Sequence, residues 1–313
     1  MGVLDTSTGP ARRQVKEPGG RPRRSLLRGQ RRAGVLFTLP ATLHIGLWIG
    51  LPVAAAFVLS FTDYDVFKSP AFVGLDNYAE IFTDDGFLRS LWTTLLYAAG
   101  TVPVTMAISL GLAVLLNQGM RGQGFFRTAI YLPQITATVA VALVWSYILQ
   151  VDGLANEILG SVGISPVAWL NDPSVALFSV ILISIWQGLG FNTLIYLAAL
   201  QGIPGDLYEA AAIDGAGPWR KFTGITVPML KPATFFVLIT STVGAFQAFD
   251  QVFVLTRGGP AYATTLTTYE IYQTGFSDFR LGVACAQSVV LLVALIVLTA
   301  VNTRTMGESR DGN

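Results

Sequence analysis

Gln201-Gly-Ile-Pro204-Gly-Asp206-Leu-Tyr-Glu209-Ala-Ala-Ala-Ile-Asp214-Gly215-Ala-Gly-Pro218-Trp-Arg220-Lys-Phe-Thr-Gly-Ile225-Thr-Val-Pro228-Met-Leu-Lys231-Pro232 separates two apolar runs, each long enough to cross a bilayer. Asp206 is placed as an N-cap or first-turn anion, with Glu209 three residues on. Leu207, Ala210, Ala211 and Ile213 supply apolar, helix-forming surface, and Gly215 suits a left-handed C-cap. Pro218 is placed to open a second short helix, and Pro228 and Pro232 to end it and turn the chain back. At 1.5 Å per residue, Asp206–Asp214 makes a peg about 14 Å long. Small alanines on one face let such a peg sit closely in a groove of another protein, with Glu209, Arg220 and Lys221 at its rim; a plain amphipathic helix lying on the membrane is the alternative.

Outward from this loop the chain is apolar. Six stretches qualify as spans: 34–61, 91–116, 125–149, 175–200, 233–253 and 283–301. Proline and glycine inside them are tolerable where neighbouring helices re-satisfy the freed backbone groups. The expected fold is therefore all-α, a polytopic membrane protein with six transmembrane helices. Sidedness follows from lysine and arginine. Sixteen lie in 1–33, 117–127, 201–232 and 302–313, nine of these ahead of the first span, against four (Lys68, Arg89, Arg257, Arg280) in the opposite loops. Both termini are expected in the cytoplasm. Residues 1–33 read as a disordered basic tail that sets topology beside anionic lipid heads, 34–302 as the membrane domain and 303–313 as a C-terminal tail. The apolar run after the tail is too long for a signal-peptide core, and nucleic acid is not the expected partner.

Composition narrows the function. Of 313 residues, 52% are hydrophobic and 12% charged, about half the charge of an average soluble domain. One cysteine, Cys285, excludes a disulfide scaffold or a cysteine zinc site, and one histidine, His44, leaves none for a His-rich metal motif. No G-x-x-x-x-G-K-[ST] loop is present to cradle ATP. The spans hold almost no ionisable groups, His44 in the first and Asp250 in the fifth, where a proton-coupled carrier usually carries several. The chain does not look catalytic, and its energy is expected to come from outside.

At this point a resemblance becomes specific. Glu209-Ala210-Ala211, Gly215 and Ile225-Thr226-Val227-Pro228 resemble the cytoplasmic "EAA" loop of bacterial ABC-importer permeases, with Val227 for the usual leucine. Phe72-Val-Gly-Leu-Asp-Asn77-Tyr78, and Phe249-Asp250 through Leu255-Thr256 to Gly258-Gly259-Pro260, look like elements of carbohydrate-uptake permeases. The large outer insert of the maltose-transporter type is absent.

The resemblance implies a type I ABC-importer permease fold in the bacterial cell membrane. It also implies a second permease subunit, two cytoplasmic ATPases that use ATP and Mg, an outer solute-binding protein, and no cofactor in this chain. Glu209, Ala210, Ala211, Asp214, Gly215, Arg220, Ile225 and Pro228 would couple to an ATPase cleft. Sugars need hydrogen bonds and aromatic faces, so Trp186, Gln187 and Asn192 in the fourth span and Phe246, Gln247 and Asp250 in the fifth are the candidates for the substrate pathway, with Trp145, Tyr131 and Gln134 behind them. Trp186 as a packing aromatic, and Gln187 and Asn192 as interhelical glue, are the rival roles. A glycerol-3-phosphate permease is the alternative within transport. A stand-alone proton-coupled carrier and a non-transporting scaffold are the others.

Overall fold

The computed structural model describes Gly2 and residues 23–65, 67–119 and 121–307, with side chains from Gly34 to Arg304. Arg12, Arg13, Lys16, Arg21 and Arg310 lie outside the described residues. The chain divides into two units, residues 1–54 and 55–313.

The first unit is helical. Helix α1 (Arg23–Ile45) carries Pro40 and leads into a wide turn at Gly46–Gly50. Its hydroxyls bond back along the helix, Thr38 Oγ1 to the Gly34 carbonyl at 3.0 Å and Thr42 Oγ1 to that of Thr38 at 3.1 Å. The helix starts at Arg23, so residues 23–33, expected to be disordered, are a helical extension. Leucine, glutamine and arginine there are good helix formers, and the last proline ahead of them is Pro22.

The second unit runs through α2 (Leu51–Leu59), a two-residue hairpin of β1 (Thr62–Asp63) and β2 (Ala71–Phe72), α3 (Asp76–Ile81) and the long α4 (Asp85–Asn117). Then come α5 (Gln123–Ile135), α6 (Thr138–Ile148), α7 (Leu154–Ser161) and α8 (Ala176–Gln201). The loop helices α9 (Gly205–Ile213), α10 (Pro218–Lys221) and α11 (Val227–Met229) precede α12 (Lys231–Phe246), α13 (Asp250–Leu255), α14 (Thr267–Tyr272) and α15 (Leu281–Gly307).

Five helical stretches are long and apolar enough to span a membrane: Gly34–Leu59, Asp85–Asn117, Ala176–Gln201, Lys231–Leu255 and Leu281–Arg304. The third expected span is not one straight helix. Helices α5 and α6 meet at 98°, so they form a broken span or a re-entrant turn, and the count reaches six only if the pair crosses as one. Pro133 removes a backbone donor near the end of α5, and Thr136 and Ala137 turn extended. The stretch Lys231–Leu255 is also interrupted, at residues 247–249, where Thr268 Oγ1 donates to the freed Ala248 carbonyl.

Helix α8 is the central post: α4, α5 and α12 pack along it, and α13 crosses to α6. Close packing of α5 on α8 depends on Gly190. A methyl group there would lie 2.7 Å from the Ile130 carbonyl oxygen. One apolar core joins Tyr97, Val102, Val180, Ile183, Phe246 and Leu291, and a second joins Leu116, Tyr196, Leu200 and Leu230.

The two further sequence elements prove to be fasteners. Asn77 Nδ2 donates to the carbonyls of Ser60 and Thr62, both at 2.9 Å, and Tyr78 shares a 2.7 Å bond with Ser60, locking α3 to the end of α2. The Gly258-Gly259-Pro260 turn is held by Thr264 Oγ1 donating to the Gly259 carbonyl and Thr265 Oγ1 to that of Gly258.

Candidate functional site

Two regions carry the expected chemistry. The first is the loop 201–232. Helix α9 begins after Pro204, with Asp206 in its first turn rather than at the N-cap. Its end is closed by backbone alone: Gly215 takes φ +75°, its N–H donates to Ala212 at 3.1 Å, and the Ala216 N–H reaches back to Ala211 at 2.8 Å. This pair of bonds is a Schellman cap, and it needs a residue that tolerates the left-handed region. Pro218 opens α10 as expected. The helical run that Pro218 opens continues through a wider turn at Phe222–Thr226 into α11 and stops at Met229, one residue past Pro228. Pro232 sits in the first turn of α12, where no intrahelical donor is missed.

Tyr208 and Thr226 share a 2.9 Å bond that ties α9 to the returning segment. Glu209, Ala210, Asp214, Gly215, Arg220 and Pro228 are exposed, and Ala211 and Ile225 half-buried, so the loop presents the expected residues outward. It also presents two large apolar side chains, Ile213 at 87% exposure and Trp219 at 75%. Trp219 was not among the residues expected to couple. A tryptophan beside Arg220 and Lys221, in a loop with no core to join, was the available signal.

The second region is a cavity of about 280 Å³ between α4, α5, α6, α8, α12 and α13. Tyr97, Thr101 and Thr105 of α4 face it at helical spacing, with Gln134, Thr138, Ser184, Gln187, Asn192, Ser241 and Gln251 around them. A hydrogen-bonded chain crosses three elements: Gln251 Nε2 donates to Gln187 Oε1 at 3.2 Å, and Gln187 Nε2 to Thr138 Oγ1 at 3.2 Å. Asn192 Nδ2 donates to Ser241 Oγ at 3.1 Å, and Tyr97 Oη to Ser184 Oγ at 2.8 Å. The described lining carries no carboxylate, ammonium or guanidinium; it offers hydroxyls, amides and the rings of Tyr97 and Phe191.

The sequence candidates divide here. Gln187, Asn192 and Gln134 line the cavity; Trp186, Phe246, Gln247 and Asp250 do not. Trp186, about 100° around α8 from Gln187, packs edge-on against Trp145 at 5.5 Å. Phe246 is buried in the apolar core. Gln247 and Asp250 are exposed, Gln247 in the break and Asp250 at the first position of α13, and Asp250 makes no ion pair with Arg257. One residue along, Gln251 turns inward instead. The overlooked polar lining is mostly hydroxyl: Tyr97, Thr101, Thr105, Thr138, Ser184, Thr240 and Ser241. Four-residue steps from Tyr97 to Thr105 were the sequence signal for it.

Residues 104–306 match the family described as binding-protein-dependent transport system inner membrane component. The chain is 36% identical to the sn-glycerol-3-phosphate transport system permease protein UgpA of Yersinia pestis, over 86% of this chain and 92% of that protein. It is 34% identical to the arabinooligosaccharides transport system permease protein AraP of Bacillus subtilis, over 91% of this chain and 92% of that one. A solved bacterial ABC transporter involved in the import of the acidic polysaccharide alginate has a chain that superposes with a TM-score of 0.80 at 24% identity, covering 92% of this chain and all of that one. With that fold, and with relatives of this identity along nearly its whole length, the chain belongs to the binding-protein-dependent inner-membrane permeases of ABC transporters and is a transport component, not an enzyme.

Proposed function

We propose that this chain forms half of the pore of a carbohydrate importer, paired with a second permease and driven by two ATPases that hydrolyse ATP with Mg on the cytoplasmic side. The observation that carries the carbohydrate reading is the uncharged cavity, whose amides, hydroxyls and two rings match a polyhydroxylated ring in hydrogen bonding and stacking. The arabinooligosaccharide relative points the same way. The glycerol-3-phosphate relative favours a second reading, but a phosphate calls for a cation, and none lines this cavity.

In this reading α9 seats in an ATPase cleft, with Glu209 meeting a basic residue there, Ile213 and Trp219 burying apolar surface, and Gly215 fixing the turn. The ATPase dimer, closed by ATP, contacts the inward- and outward-open bundles differently, and that difference shifts the equilibrium between them. The excess of lysine and arginine supports a cytoplasmic side for the loop and both termini, a reading that takes the bent α5–α6 pair as one span. Proteoliposomes holding the full complex test the substrate. ATP-dependent uptake of an arabino-oligosaccharide, without uptake of sn-glycerol 3-phosphate, is expected. The reverse preference overturns the carbohydrate reading.

A further inference from the structure

Apart from the central cavity, the segments around residues 80–86 and 270–287 enclose an acidic hollow of about 460 Å³. Glu80, Asp84, Glu270, Asp278, Arg280 and Gln287 line it. Arg280 is already neutralised, gripping both oxygens of Glu80 at 2.6 Å. Asp84 caps α4, accepting from the Gly86 and Phe87 amides at 3.2 and 3.1 Å. Glu270 has no hydrogen-bond or cationic partner among the described residues. Burial, with the like charges of Asp84 and Asp278, holds its carboxyl above the usual range. A carbon placed on Gly86 would lie 3.7 Å from Glu270 Oε1 and 3.4 Å from an Asp84 oxygen, so both carboxylates border one gap. Gln287 lines the same hollow at 1% exposure, and its Oε1 is buried with no donor.

We propose that this hollow receives one basic side chain, a lysine or arginine, of the solute-binding protein, with Glu270 and Gln287 Oε1 as its principal acceptors. The lining has acceptors to spare, an anionic surplus and one buried carbonyl without a donor, which is the complement of an ammonium or guanidinium. A metal ion fits less well: no group of three acidic, histidine or cysteine side chains among the described residues could hold one, and the space is far larger than an ion needs. The proposal rests on the sidedness reading, in which residues 80–86 and 270–280 belong to outer loops carrying 11 acidic and 4 basic residues and Gln287 lies in the outer end of α15. Electrostatic complementarity of this kind sets encounter rate and register.

The test uses the full complex in nanodiscs. The probe is the solute-binding protein that stimulates its ATP hydrolysis. Glu270→Gln should raise the concentration for half-maximal stimulation about five- to twentyfold at low salt, with basal hydrolysis unchanged, and the difference should shrink near 0.5 M NaCl. Gln287→Leu should raise it less. Glu270→Lys should weaken docking further and be rescued by a lysine- or arginine-to-glutamate change in the binding protein. An unchanged half-maximal concentration in Glu270→Gln and Glu270→Lys overturns the proposal. So does wild-type docking that EGTA abolishes, which would assign the hollow to calcium. Sidedness is read separately, by labelling Ser277→Cys in a Cys285→Ser background with an impermeant maleimide on intact cells. Labelling only after permeabilisation sinks the outer-face reading itself, whatever the docking result.

Discussion

The loop 201–232 and the central cavity are built on opposite plans. The loop is continuous in sequence, exposed, and shaped by its own backbone: a Schellman cap at Gly215, prolines in first turns and one Tyr208–Thr226 bond. The cavity gathers side chains from six helices between Tyr97 and Gln251, held together by amide and hydroxyl bonds across helix boundaries. A local element keeps its geometry when a distant residue changes. An assembled one depends on every approach between helices.

Substitutions at five positions break or sharpen this contrast. The largest effect is expected at Gly215→Pro. Proline cannot adopt a positive φ and removes the donor to Ala212, so the cap fails while the rest of the bundle stays in the membrane. Co-purification of the ATPases should be lost, with cavity-side transport residues untouched. Gly215→Ala isolates the conformational part, because a Cβ there meets nothing within 4 Å. A left-handed alanine costs about 1–2 kcal/mol, so ATPase affinity should fall roughly five- to thirtyfold. Retained binding in both variants would remove the peg from the mechanism.

Gly190→Ala probes the other plan, since its methyl group collides with the α5 backbone, which cannot swing aside as a side chain does. Overpacking of this kind costs about 1–3 kcal/mol. Thermal unfolding in detergent should report that loss, with ATPase docking at the loop preserved. Next in size, Gln187→Leu leaves Gln251 and Thr138 without their shared partner. Stranded polar groups cost about 1–3 kcal/mol, and uptake should drop about tenfold with basal ATP hydrolysis unchanged. The smallest effect is the Asn192–Ser241 bond: a double-mutant cycle with Asn192→Ala and Ser241→Ala should give a coupling of about 0.6 kcal/mol. A coupling above about 2 kcal/mol would mean that the pair organises the cavity rather than merely joining α8 to α12.

Legibility followed the same division. Glu209, Gly215 and Pro218 could be placed from spacing because capping acts over five or six residues. Gln187 and Asn192 were found as polar groups in an apolar run. Trp186 and Phe246, plausible by type, lie off the cavity: Trp186 packs on Trp145 while Gln187 turns in, and Phe246 closes the core. Asp250 and Gln251 exchange roles by one position on a helix only six residues long. The 98° bend between α5 and α6 lies in a run that reads as one apolar span, because hydropathy averages over direction and a proline such as Pro133 is tolerated inside straight spans too.

By itself the sequence determined the class, the apolar runs and the capped turn at Gly215 in the loop 201–232. These rest on transfer of apolar length into lipid and on hydrogen bonds closed within a few residues. The tertiary structure decided which polar side chains meet, where helices break, and that residues near 80 and near 270 share one acidic hollow. Those outcomes depend on the rotation and approach of helices distant in sequence, set by contacts such as Gly190 against Ile130, and no local pattern encodes them.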